Sequence, residues 1–91
     1  MVKVNTYFDG AVSSLSLSVG AGKATVGVMQ PGTWSFTTGS PEVMRVITGS
    51  QDVRLPGGDW TSYAAGTEYH VPANTTFEVR VDADSAYLCL F

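Results

Sequence analysis

Apolar and polar residues alternate with period two along most of this chain, and clusters of glycine, proline, asparagine and aspartate interrupt the alternation every several residues. The first run covers residues 4–8 and stops at the turn pair Asp9-Gly10. Over residues 12–19 the alternation is clean. Leu15, Leu17 and Val19 share one face and Ser14, Ser16 and Ser18 the other, the pattern of a strand buried on one side. Gly20-Ala21-Gly22 turns the chain into residues 23–30, where Ala24, Val26 and Val28 share a face. After Pro31-Gly32 come two runs, 34–38 and 42–48, joined by Gly39-Ser40-Pro41: glycine for positive φ, serine for a side-chain bond to backbone, proline to fix φ. Further runs at 50–55, 60–64, 67–71, 75–81 and 85–91 are separated by Pro56-Gly57-Gly58-Asp59, Gly66 and Pro72-Ala73-Asn74. No window carries helical periodicity. About ten short strands with regular turn signals predict an all-β sandwich or closed barrel.

Composition narrows this further. Ninety-one residues suit one domain spanning 1–91, with a modest core, and 44% hydrophobic against 14% charged residues excludes a disordered chain. The net charge is −3, and the five basic residues (Lys3, Lys23, Arg45, Arg54 and Arg80) are scattered, so there is no basic stripe to follow a nucleic-acid backbone. The single cysteine, Cys89, excludes a disulfide within the chain and fits a reducing compartment. The first residues lack the apolar segment of a signal peptide, and nothing has the length of a membrane span, so the expected location is cytoplasmic.

Several motifs fail on inspection. Gly22-Lys23 lacks the partner glycine and following helix of a phosphate-binding loop. Asn74-Thr75-Thr76 matches a glycosylation acceptor but reads more simply as a turn. No G-x-S-x-G exists for a serine nucleophile, and His70, the one histidine, lies in a strand beside Val71-Pro72.

Glu42 opening a strand that Gly49 closes, after the short run at 34–38, resembles the first half of the cupin motif. Gly66, Pro72, Asn74 and Phe77 follow the spacing of its second half, with Asn74 in a glycine place. The resemblance implies a jelly-roll barrel. The positions where cupins carry metal-binding histidines hold Phe36, Thr38 and Phe77, and only Glu42 is kept. Phenyl rings offer a transition metal no donor, so no metal and no cofactor is expected.

The whole chain is similar to a narrower family, the small cupin-type pyrimidine/purine nucleoside phosphorylases. Matching stretches are Asn5-Thr6-Tyr7-Phe8, Val26-Gly27-Val28-Met29, the 32–49 block, Leu55-Pro56 with Trp60, Tyr63 and Gly66, then Val71-Pro72 and Tyr87-Leu88-Cys89. Members often carry an arginine directly after that cysteine; this chain has Leu90. The resemblance implies reversible phosphorolysis of purine and pyrimidine nucleosides to free base and pentose 1-phosphate. By analogy with glycosyl transfer, the expected catalytic residues are Glu42, to stabilise developing positive charge or hold a sugar hydroxyl, and Thr38, to hydrogen-bond the sugar or phosphate. Phe36, Phe77, Tyr69 and Tyr87 are the expected pocket residues, with rings that stack on any base. Lys23 at a rim and Arg45 toward a neighbouring subunit are the expected contacts to phosphate or substrate. A non-catalytic cupin that binds a sugar or nucleoside is the alternative. The expected partners are nucleoside, phosphate and a second copy of the chain, paired through edge strands.

Overall fold

The computed structural model describes residues 2–20 and 22–91, so Ala21, in one of the expected turns, lies outside the described residues. Ten strands form: β1 (Lys3–Tyr7), β2 (Val12–Val19), β3 (Gly22–Met29), β4 (Gly32–Thr37), β5 (Glu42–Thr48), β6 (Ser50–Arg54), β7 (Thr61–Ala64), β8 (Glu68–Val71), β9 (Thr76–Val81) and β10 (Ser85–Leu90). Residues Phe8–Gly10 make a single 3-10 turn. One sheet has six strands in the order β1-β2-β3-β10-β5-β8, the other four in the order β4-β9-β6-β7, and every pairing is antiparallel. This is the expected all-β, cupin-like jelly roll. Among the described residues, no helix is long and apolar enough to cross a membrane.

The two sheets close on a shared core of Val12, Met29, Met44, Val46, Val53, Val71, Phe77, Val79 and Val81. Each such side chain contributes about 1.5–3 kcal/mol on leaving water. Period two sets the faces of β5: Met44 and Val46 point inward and Arg45 outward. Tight connections rest on left-handed residues where expected. Asn74 has φ 54°. Gly49, with φ 74°, lets β5 turn into β6 where a Cβ would lie 2.9 Å from the carbonyl oxygen of Asp84.

Strand β2 reverses the expected burial. Val12 is paired with Met29 in the core, which fixes the register. Period two then turns Ser14 inward, buried, with Ser16 half-buried on the same face, and leaves Leu15, Leu17 and Val19 exposed on the outer face. Val26 and Val28 of β3 join them there.

Candidate functional site

Between the two sheets lies an open cavity of about 330 Å³, within the range of roughly 300–1,000 Å³ typical of ligand sites. Its two walls differ in chemistry. The six-stranded sheet supplies Ser14, Thr25, Glu42, Tyr87 and Cys89, each with a polar atom, over a floor of Met44. The opposite wall is mainly aromatic, with Ser35 and Thr37 of β4 beside it: Phe36 of β4 lies next to Phe77 of β9 at 5.8 Å between ring centres, in register across the pair. Tyr7 and Phe8 finish the aromatic side, each edge-on to Phe36, at 6.4 and 5.9 Å. Phe8 also packs on Trp34 at 4.9 Å. Phe91 and Thr37 complete the mouth.

Burial governs the electrostatics. The Glu42 carboxyl is half-buried and holds its proton more tightly than an ordinary glutamate, because losing water disfavours its charged form; a hydrogen bond with the Cys89 thiol works the other way. Cys89 is itself pushed up to about 12, by burial first and by the neighbouring Glu42 charge second. Burial likewise lifts the Tyr87 phenol to about 12, opposed by a hydrogen bond with Ser14. At neutral pH both groups are therefore hydrogen-bond donors. The arrangement can stack a flat ring on one wall and hydrogen-bond a polyhydroxylated group on the other, with one carboxyl available for positive charge.

Phe36, Phe77, Glu42 and Tyr87 thus converge as expected. Thr38 does not line the cavity. It is buried at the end of β4, where its hydroxyl donates to the carbonyl of Pro72 at 2.6 Å and accepts from the amide of Thr75 at 3.0 Å. Its neighbour Thr37 is the hydroxyl residue on the rim. Tyr69 is also outside, its hydroxyl donating to Gln51 Oε1 at 2.8 Å and its ring 4.7 Å from that of Tyr63, beside the exposed His70. Arg45 points outward in an exposed pair with Glu68 at 3.1 Å. Lys23 lies in an adjoining groove. Position 90 projects to the outer face, since Tyr87 and Cys89 point inward, so Leu90 in place of an arginine removes nothing from the cavity.

Among the cavity residues that sequence reasoning missed are Tyr7, Phe8, Ser14, Thr25 and Cys89. Their signal was present for Cys89 alone, by period two from Tyr87. Tyr7, Ser14 and Thr25 belong to strands whose inward face only the register defines, and Phe8 to the 3-10 turn that follows β1. The metal positions of the cupin fold are filled here by two rings, a hydroxyl engaged with backbone, and Glu42. Among the described residues no three His, Cys, Asp or Glu side chains gather. A transition metal needs several donors at about 2.0–2.2 Å, which this set does not fit.

Comparison with known proteins concerns the chain as a whole. The profile of the family described as pyrimidine/purine nucleoside phosphorylase matches residues 2–91. A protein of that name from Pseudomonas paraeruginosa is 51% identical over 90 residues, 98% of this chain and 97% of its own length. One of the same name from Pseudomonas fluorescens is 48% identical over 98% of this chain and 96% of its own. A crystal structure of a protein of unknown function from Vibrio parahaemolyticus superposes with TM-score 0.96 at 41% identity, covering 99% of this chain and 97% of that one. An RmlC-like cupin from Shewanella frigidimarina shares the fold, with TM-score 0.78 at 15% identity over 99% of this chain and 82% of that one.

Proposed function

The chain belongs to the pyrimidine/purine nucleoside phosphorylase family, and from that premise we propose that it cleaves purine and pyrimidine nucleosides with inorganic phosphate, without metal or cofactor. The observation that carries this is the division of one cavity into an aromatic wall and a wall of hydroxyls with a single carboxyl. The base stacks on Phe36 and Phe77, and because every base has a π-face, such a wall discriminates weakly between purine and pyrimidine. The sugar hydroxyls face Ser14, Thr25 and Tyr87.

A phosphate oxygen forms the new bond to C1′ as the C1′–N bond breaks, and its electron pair leaves on the base. The proton given up by the phosphate is the one the base retains, so the step balances without a further reactant. Positive charge develops on the sugar as the bond breaks, and ionised Glu42 stabilises it. Glu42 is the catalytic residue in this reading. Thr38 acts at a distance as a positioning residue, tying the end of β4 to Pro72 and Thr75 and so fixing Phe36 two residues earlier.

The same reading includes a homodimer, formed through the outer face where Leu15, Leu17, Val26 and Val28 lie together rather than through edge strands. A contiguous apolar face of this kind is more than the scattered single side chains normal on a monomer. The lone buried cysteine suits a reducing cytoplasm.

The test is release of free base from uridine or guanosine. It is expected to require added phosphate and to be indifferent to a chelator. Nucleoside binding with no phosphate-dependent turnover would favour the non-catalytic binding protein instead, and loss of turnover on chelation would overturn the metal-independent chemistry.

A further inference from the structure

Phosphorolysis needs a site for an anion, yet the cavity wall carries no lysine or arginine. The three arginines are already engaged on the outer surface. Arg45 pairs with Glu68 at 3.1 Å, Arg80 with Asp52 at 3.2 Å, and Arg54 with Glu78. Arg54 and Arg80 also stack on Trp60, at 4.9 and 4.3 Å from its ring centre. To meet a phosphate, each would have to abandon a carboxylate. Lys3 and Lys23 have no such partner among the described residues.

We propose that inorganic phosphate binds at Lys23 and Lys3, with the hydroxyls of Ser16 and Ser18, in the groove that adjoins the nucleoside cavity at Phe91. This rests on the phosphorolysis reading above. Strand register brings the four together. Ser16 stands opposite Lys3, and Ser18 opposite Lys23. Residues directly opposite share a face, with Cβ atoms about 4.5–5.5 Å apart. Ser16 and Ser18, two apart on β2, share that face as well. All four line one groove of about 610 Å³, and no acidic side chain is among its lining residues. Two ammonium groups and two hydroxyls on one face supply charge and donors together, as phosphate requires.

Lys23 and Phe91 exchange backbone hydrogen bonds, at 3.1 and 3.4 Å. On the other side of β10, Leu90 is in register with Val43, so the next residues, Phe91 and Glu42, are neighbours. Lys23, Phe91 and Glu42 therefore form a single row across three strands. Two inter-strand spacings, about 10 Å, separate the backbones of Lys23 and Glu42. Lys23 is also two residues, about 7 Å, from Thr25 on the cavity wall and on the same face of β3. Phe91 belongs to both hollows. An anion held by Lys23 thus stands beside a sugar held near Glu42, while the base lies on the aromatic wall. The Ser16 hydroxyl accepts from the Asn5 side-chain amide at 3.0 Å, which leaves its own proton to be donated to an anion.

The experiment varies phosphate at saturating uridine in the wild type, Lys23→Gln, Lys3→Gln and the double variant, with thermal melts to confirm folding. Each single change is expected to raise KM for phosphate at least about tenfold, the loss of one charge-assisted hydrogen bond. KM for uridine should stay within about twofold, and Lys23→Arg should recover part of the loss. Titration of the unliganded protein with inorganic phosphate alone should show binding that the double variant lacks. Unchanged KM for phosphate in an active double variant overturns this site and leaves the phosphorolysis reading standing. Phosphate binding lost in the double variant, with no base release by the wild type, upholds the anion site and overturns phosphorolysis. No binding of phosphate by the wild type overturns the site.

Discussion

Gly27 lies beneath the phenol ring of Tyr87, so closely that a Cβ at position 27 would come within 2.5 Å of both the ring carbon Cζ and the hydroxyl oxygen. The two are directly opposite in the β3–β10 pairing. The bare backbone of Gly27 lets the ring lie along the sheet, where its hydroxyl meets Ser14 and forms part of the polar wall.

Gly27→Ala should therefore displace the Tyr87 ring. The expected cost is about 1–3 kcal/mol of stability, with a fall in kcat/KM. Adding Tyr87→Ala frees the space, so the double variant should lose less stability than the sum of the two single changes. Chemical denaturation of the four proteins as a double-mutant cycle measures this; simple additivity would show that the contact is harmless.

Glu42 provides a pH test. Its folded pKa is raised above the ordinary 4.5 because its charged form is desolvated. The neutral form is thus the better tolerated, and its contribution is fully present below the unfolded value and lost as pH rises through the folded one. Glu42→Gln, which never ionises, should match the wild type in stability at about pH 4 and exceed it above the raised pKa. For activity, ionised Glu42 predicts an acid limb in kcat/KM with its midpoint above the ordinary glutamate value. Glu42→Gln should lose most turnover together with that limb. Full activity in the variant would remove Glu42 from the chemistry.

A buried polar chain marks the other end of the barrel. Tyr69 donates to Gln51 at 2.8 Å, Gln51 to Ser85 at 3.2 Å, and Ser85 to the carbonyl of Thr48 at 3.0 Å, with Gln51 and Ser85 fully buried. Gln51→Leu keeps the volume but leaves the Tyr69 hydroxyl without its acceptor. It should cost about 1–3 kcal/mol. Because none of these groups touches the cavity, KM and kcat at a temperature where the variant is folded should be unchanged.

On the outer face, Leu15 sits directly between Val4 and Val26, its partners on β1 and β3. All three are exposed. If this face joins two copies, the wild type should scatter light as a dimer, and Leu15→Asp with Val26→Asp should yield a folded monomer. A wild type that is monomeric at every concentration would leave the face without this role.

The period-two pattern was enough to read the strands and their turns, because side-chain direction alternates strictly wherever one strand face is packed, as it does for Phe77, Val79 and Val81. The spacing of the motif they resemble made Phe36, Glu42 and Phe77 legible as a group. For β2 the same pattern pointed the wrong way. Burial there is decided by Val12 pairing with Met29 and not by the hydrophobicity of the leucine face.

Local sequence thus determined an all-β chain with its turns at particular glycines, prolines and asparagines, since those depend on backbone conformation within a few residues. Only the tertiary structure decided that Thr38 would bond to backbone, that Tyr69 would face Gln51, and that Ser14, Thr25 and Cys89 would meet around Glu42. Those outcomes depend on which strands become neighbours and in what register. Such long-range pairings are invisible in the order of residues along any single strand.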